Sequence, residues 1–329
     1  MRIRSASAAL VIVLLFASCG GAVIAADMWA KGQLHCHSTN SDGNVSPQEV
    51  MDWYRDHGFE FVFLTDHRTV TDVGPLDKDP NDQFICIHGE ELDLPDEGRP
   101  IHANALGLKQ TIGVPPRLIT PARSVANLVD YIRDAGALPM VNHPNWYFAL
   151  THRELLRIEG MYLLEIANMG GPTSYNEGSA AYLPLEQTWE ILLSEGRTVY
   201  ATATDDAHDY KDFRPGGSNP GLGWVVCRVP ELTPGAVLDA LAKGRFYSST
   251  GVELADYRWD GRTMKVSVAP KEGRTCVIRF VGKHGRILKE VEGLSATYRV
   301  TGVPDRNDYI RCKVISSDLT TAWTQAERL

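Results

Sequence analysis

Short apolar runs that stop abruptly in histidine or an acid recur along the first two thirds of the chain. Phe61-Val62-Phe63-Leu64 is apolar throughout and ends in Thr65-Asp66-His67-Arg68. Such a run marks a strand covered on both faces, as in a parallel sheet. Phe84-Ile85-Cys86-Ile87 ends in His88-Gly89-Glu90-Glu91, and Leu138-Pro139-Met140-Val141 in Asn142-His143-Pro144. Leu163-Leu164-Glu165-Ile166-Ala167 ends in Asn168, and Val199-Tyr200-Ala201-Thr202-Ala203 in Thr204-Asp205-Asp206-Ala207-His208. Helix signals fall between these runs. Ser46-Pro47-Gln48-Glu49 is a capping box with proline at the first helical position, opening a helix that runs to His57 and stops at Gly58. Thr120-Pro121 opens another that reaches Gly136, and helices are expected over 153–158, 185–195 and 233–244.

Strand, polar terminus and helix, repeated in this way, predict a (β/α) barrel, which carries its chemistry at the C-terminal ends of its strands. A further strand is expected over 222–229, and after Gly251 the pattern changes. Helical periods vanish, and short alternating strands follow at 264–268, 276–280, 298–300 and 309–314, separated by turns such as Asp260-Gly261. Residues 27–250 are therefore expected to form the barrel and 251–329 a small β-sandwich packed on it. No internal repeat or low-complexity linker interrupts either part.

The polar termini change the picture from fold to chemistry. In Gln33-Leu34-His35-Cys36-His37-Ser38 two histidines at i and i+2 point the same way from a strand, so both rings can reach one ion. Alone, such a pair is equally two strand residues facing solvent. Downstream the same setting also supplies Asp42, His67, Glu91, His102, His143, Asp206 and His208. Imidazoles with a few carboxylates suit Zn, Mn or Fe(II), whereas Ca or Mg call for oxygen almost alone. Nine ligands exceed what one ion takes; about three ions sharing a carboxylate would use them.

Composition is that of an ordinary globular protein: 329 residues, 43% hydrophobic and 22% charged. The net charge of -8 with no long basic run argues against a nucleic-acid partner and suits a protein that concentrates cations. Residues 1–26 read as a signal peptide, with Arg2 and Arg4 before an apolar run from 8 to 17. Leu15-Phe16-Ala17-Ser18-Cys19-Gly20 has the layout of a lipoprotein box, so a lipid on Cys19 is the one expected membrane tether. Val23-Ile24-Ala25 fits ordinary release instead, and Phe16 suits the lipoprotein box poorly, which favours release. Either way the protein is expected to be exported, periplasmic or extracellular. Export permits disulfides. Cys276 and Cys312, on alternating strands of the β region, are expected to pair, two unpaired thiols being the alternative, while Cys36, Cys86 and Cys227 read as small buried residues.

The ordered series H-x-H, S-D-G, T-D-H, G-x-E, a lone H, N-H-P and D-x-H, spanning about residues 33 to 251, resembles the polymerase and histidinol phosphatase (PHP) family. The β-rich tail after Phe246-Tyr247-Ser248-Ser249-Thr250-Gly251 resembles its branch of carbaryl-hydrolase-like metallohydrolases. The resemblance implies a distorted (β/α)7 TIM-like barrel with a trinuclear centre of divalent transition metals (Zn, Mn or Fe). His35, His37, Glu91 and Asp206 would hold the first ion, Glu91 bridging to a second held by His102 and His143. Asp42, His67 and His208 would hold the third. Asp66, Glu165 and Asn168 fall at familiar places as supporting or wall residues, and His88, His152 and His284 match nothing. A hydroxide bridging two ions would be the nucleophile, placed by Glu91, with Asp206 or His208 assisting proton transfer. For a phosphate ester, Arg68 is the first candidate for a cationic contact, followed by Lys211 and Arg214. The expectation is thus a phosphoesterase acting on small organic phosphate esters, with a carboxyl ester or carbamate hydrolase as the alternative. An inactive carbohydrate- or surface-binding protein is a third reading, disfavoured by the full ligand set.

Overall fold

The computed structural model describes residues 27–76, 83–94, 98–172 and 175–329; the expected signal peptide, with Cys19, lies outside them. The chain is mixed α/β, with one large sheet and few helices. The first strand, β1 (Met28–Gln33), leads through helix α1 (Pro47–Asp56) to β2 (Phe61–Leu64), and then come β3 (Ile85–Asp93) and β4 (His102–Leu106). Helix α2 (Pro121–Asp134) leads to β5 (Leu138–Val141), the short α3 (His152–Leu155) to β6 (Tyr162–Asn168), and α4 (Leu185–Ser194) to β7 (Val199–Thr204). The capping box at Ser46 forms as expected, with the side chains of Ser46 and Glu49 each capping the other's backbone, and α1 buries Val50, Met51 and Tyr54.

These seven strands lie side by side in chain order. β1, β2 and β3 pair parallel, as do β5, β6 and β7, but β4 runs antiparallel to both its neighbours. The expected alternation of strand and helix therefore breaks between β3 and β4. β3 runs past the expected stop at Ile87 through Glu90 and Glu91, because β4 supplies a ladder from Gly89↔Leu106 to Asp93↔His102. Beyond β7 the chain returns to the first strand. Asp206 N donates to the His35 carbonyl at 3.0 Å and His37 N to the Ala207 carbonyl at 2.9 Å. The ends of β1 and β7 thus meet at one pole of a curled sheet.

Next come β8 (Trp224–Val229), antiparallel to β1, helix α5 (Pro234–Ala242) and β9 (Phe246–Ser249), antiparallel to β8. The C-terminal strands are β10 (Leu254–Trp259), β11 (Thr263–Val268), β12 (Cys276–Gly282), β13 (Arg286–Glu292), β14 (Ser295–Arg299), β15 (Tyr309–Ser316), β16 (Thr321–Thr324) and β17 (Glu327–Arg328). Most of them are bonded into the large sheet as well as packed on it. β16 takes the free edge of β9, with Trp323 opposite Ser248, so the ladder continues through β16, β15, β12 and β13. An unpaired strand edge is costly to leave open, and here the tail covers it. β10, β11 and β14 form a separate three-stranded sheet. Its Tyr257, Met264 and Val266 join Ile278, Phe280 and Val314 in an apolar cluster that also holds Val50, Tyr54 and Phe59 from the first strands and helix.

Two side-chain groups tie the tail to the curled sheet. Arg311 of β15 is fully buried, donates to Glu186 at 2.7 Å and to Glu190 of α4, and lies over the Trp189 ring at 4.9 Å. Gln325 accepts from Ala201 N at 2.9 Å and donates to the Ala201 carbonyl at 2.8 Å, filling the edge of β7 as a strand would. The expected disulfide does not form. Cys276 lies opposite Ser316 and Cys312 opposite Phe280, so the two are four residues out of register, about 13 Å along the strand. A disulfide spans Cα atoms within about 7 Å, and none of the five cysteines of the described residues, all buried, is in a disulfide.

Candidate metal centre

Every strand-end donor expected from the sequence lies at the pole where β1 and β7 meet. Glu91 is central. Its Oε2 lies 3.0 Å from His35 Nε2, 3.2 Å from His37 Nε2 and 3.4 Å from His67 Nδ1, and its Oε1 3.1 Å from His102 Nδ1 and 3.4 Å from His143 Nε2. Asp206 Oδ1 lies 3.1 Å from His35 Nε2 and 3.2 Å from His37 Nε2. On the open side Asp42 Oδ1 is 3.3 Å from His208 Nε2, and Oδ2 is 3.7 Å from His67 Nε2. Three overlapping sets of candidate donors result: His35, His37, Glu91 and Asp206; His67, Glu91 and His102; His37, Asp42, His67 and His208. His143 joins through Glu91 rather than through a set of its own.

The local chain explains these positions. Strand alternation puts His35 and His37 on one side and Cys36 on the other, where its thiol donates to the Phe63 carbonyl at 3.4 Å. The loop carrying Asp42 is drawn in by Asp66, which accepts from Ser38 N at 2.7 Å and from Ser41 Oγ at 2.9 Å. Gly43 is required there because a Cβ would stand 2.5 Å from the His37 carbonyl oxygen. Asp66 therefore holds the loop and offers no free oxygen to the cluster. Glu165 orients two donors at once. Its Oε1 accepts from His35 Nδ1 at 2.6 Å and Thr204 Oγ1 at 2.7 Å, its Oε2 from His143 N at 2.7 Å and Asn168 Nδ2 at 2.9 Å. This fixes the His35 tautomer, leaving Nε2 unprotonated toward Glu91 and Asp206 in a neutral ring.

A lone pair facing two carboxylates needs a cation between them, either a proton or a metal ion. The surroundings pull the same way. Burial, the largest influence, pushes the His35 ring down, but Asp206, Glu91 and Glu165 hold it well above the usual histidine range; His37 is raised to about 9 against the same burial by Asp206 and Glu91. For Glu91 and Asp206 burial works upward, yet the rings around them hold both carboxyls well below the usual range. His67 Nδ1 and His143 Nδ1 are buried without a hydrogen-bond partner. Histidine with carboxylate, crowded and with ring nitrogens left over, is a donor set that fits divalent transition metals.

Of these donors all but His35 and His37 line a cavity of about 260 Å³, together with Asn145, Trp146, Asn168, Pro172, Tyr175, Leu185 and Ser218. None of the lysines or arginines among the described residues lines it. Arg68, the expected cationic contact, instead forms a paired bond to Asp93, Nε at 2.7 Å and Nη2 at 2.6 Å, and is 57% exposed. Lys211 Nζ donates to the Asn44 carbonyl at 2.7 Å, and Arg214 stands 3.6 Å from Asp212. His57 stacks on Trp53 at 3.8 Å, and His88, His152 and His284 do not line this cavity.

Three contributors escaped the sequence reading. Asn142 Nδ2 donates to Glu91 Oε1 at 2.8 Å and to Asn104, which the alternation from His102 puts on the same strand face. Thr204 supports Glu165. Trp146 sets its ring 5.3 Å from that of His102 and 5.1 Å from that of His143. It is carried by a turn with positive φ at His143 (24°), Tyr147 (47°) and Phe148 (53°), each costing about 1–3 kcal/mol.

The fold and this pole together define a candidate metal-binding protein of mixed α/β class. No protein-family profile matches the chain. It is 35% identical over 186 residues to a 5'-3' exoribonuclease of Haemophilus influenzae, a match covering 54% of this chain and 61% of that protein, so the chain spans about three fifths of the curated relative's length. Among solved structures, a two-domain protein from Bacteroides vulgatus containing a predicted PHP-like metal-dependent phosphoesterase is similar with a TM-score of 0.45 at 15% identity, over 87% of this chain and 90% of that one. An amidohydrolase from Chromobacterium violaceum, with bound sulfate and no metal, is similar with a TM-score of 0.40 at 16% identity, over 57% and 93% of the two chains.

Proposed function

We propose that the protein is a metal-dependent hydrolase of the PHP family, acting as a phosphoesterase on small organic phosphate esters. The observation that carries this reading is Glu91, a buried carboxylate reached by five imidazoles at 3.0 to 3.4 Å. The curled sheet, read as a distorted (β/α)7 barrel, and the relative named as an exoribonuclease support it. His35, His37, Glu91 and Asp206 would hold one ion, Glu91, His102 and His143 a second, and Asp42, His67 and His208 a third. When bound, such ions supply Lewis-acid activation of water and of the ester.

The chain's own residues do the rest. Glu91 and Glu165 fix the rings around the reacting ester, and Asp206, held ionised by those rings, accepts rather than gives protons. His208 donates from Nδ1 to the Asp206 carbonyl at 2.9 Å, which leaves Nε2 as the atom turned toward Asp42, where it would serve the third ion. Water oxygen bonds to phosphorus, the bond from phosphorus to the leaving oxygen breaks, and that oxygen takes the proton the attacking water gives up. The lack of any arginine or lysine on the cavity wall, among the described residues, favours a second reading as a carboxyl ester or carbamate hydrolase, whose substrate carries no phosphate charge.

The test is a substrate panel on protein loaded with Mn, Zn or Fe(II): aryl phosphate, phosphodiester, aryl acetate and aryl carbamate. Phosphate release that disappears with chelator and returns with metal, at about three ions per chain by elemental analysis, is the expected result. Turnover of the carbamate or acetate alone would replace it with the second reading.

A further inference from the structure

Part of the cavity wall beside the metal donors is apolar and aromatic. Trp146, Pro172, Tyr175 and Leu185 line it. The amides on this wall are already engaged. Asn145 Nδ2 donates to the carbonyls of Tyr175 and Leu183, at 2.9 and 3.0 Å, and Asn176 Nδ2 to that of Asn168 at 2.7 Å. Asn168 Nδ2 donates to Glu165 and Asp206, at 2.9 and 3.1 Å. Trp146 is only partly buried although its ring meets two donor rings, and it lines the cavity. The turn that presents it is held against its own backbone preference. Phe148, in the left-handed region, stacks on Tyr182 at 4.5 Å and meets Tyr175 at 5.6 Å, and Leu150 N donates to the Pro144 carbonyl at 2.9 Å. A strained turn that keeps an indole beside the reacting centre points to recognition, since packing the donors alone would be served by a buried aliphatic side chain.

We infer that the site selects esters whose leaving group carries a planar aromatic ring, seated on Trp146 with Tyr175 flanking it. This rests on the phosphoesterase reading of the metal centre. The shared chemistry is a flat ring close to the ester, and it has two sources: a ring joined directly to the ester oxygen, or a nucleobase one sugar away. Both can stack on an indole, whereas a polyol leaving group has no flat face to place there.

The experiment uses the full metal-loaded protein with 2-naphthyl phosphate, adenosine 5'-phosphate and glycerol 1-phosphate, in wild type, Trp146→Ala and Trp146→Phe. Trp146→Ala should lower kcat/KM for at least one ring-bearing substrate about tenfold more than it lowers that for glycerol phosphate, mainly through KM. Trp146→Phe should recover most of the loss. Which ring-bearing substrate responds fixes the linker. A parallel loss for all three would overturn the inference, because Trp146 would then merely buttress His102 and His143. Binding gives an independent readout: benzylphosphonate should bind wild type about tenfold tighter than methylphosphonate, and both Trp146→Ala and Tyr175→Ala should shrink that ratio. Equal affinity for the two phosphonates in wild type would overturn the ring seat. Hydrolysis of no ester, with the phosphonate preference intact, would sink the hydrolase reading and leave the ring seat standing.

Discussion

Two of the places where the molecule buries charge balance it in different ways. Under β15, Arg311 brings its own cation to Glu186 and Glu190, and Lys313 adds a second bond to Glu186. At the pole of the sheet, Glu91, Asp206 and Glu165 are equally buried but are met by imidazoles, whose charge depends on a proton. The first cluster is complete when the chain folds. The second reaches balance only with cations taken from solution, which is what separates an ionic group that fastens from one that works.

The sharpest way to break this comparison is at Glu91. Glu91→Gln should lower turnover by at least about a thousandfold and reduce bound metal, while Asp42→Asn, on the exposed rim, should cost less in both. Equal losses, read by steady-state kinetics and elemental analysis, would mean that Glu91 is no more central than the rim. Next is Arg311→Met, which leaves two partly buried carboxylates, with Lys313 on Glu186 alone. A destabilisation of about 3 kcal/mol in denaturant unfolding is expected, with metal content and kcat of the folded protein unchanged. Loss of metal here would join the two clusters that the comparison separates.

The smallest effect is a pH dependence. Burial pushes the Glu186 carboxyl up, but Arg311 and Lys313 outweigh it and hold the carboxyl below its ordinary value of 4.5. A depressed folded value gives stability that is present above about pH 4.5 and lost as pH falls through the folded value. Glu186→Gln should therefore lose less stability than wild type as pH falls from about 5 to about 3, read by denaturant unfolding at each pH. Parallel acid unfolding curves would show that the clamp is not ionic.

Much of the pole was legible because each donor follows an apolar run that could only be a strand. His35, His67, His143 and Asp206 needed no long-range information beyond that pattern. The register of β3 was not legible, since Glu90 and Glu91 are in strand only because β4 turns back along them, and nothing in 88–93 announces a partner. Arg68 misled for a related reason. Its place after Thr65-Asp66-His67 is local, but Asp93, which captures it, lies at the end of the same unannounced ladder. The tail misled most, because alternation shows that 276–282 and 309–316 are strands but not that β16 will bond to β9. That the strands of Cys276 and Cys312 are neighbours was likewise not legible, and nor was their four-residue offset.

Gln325 gives this arrangement a consequence for biosynthesis. Its amide occupies the edge of β7 at Ala201, 124 positions earlier in the chain, so a stretch made early waits for one made late. During vectorial synthesis or translocation, β7 would remain a half-open edge until residue 325 has emerged, able to recruit strands from other nascent copies. A chaperone that shields this edge, or slow threading that keeps copies apart, would then govern yield more than the stability of the finished molecule does.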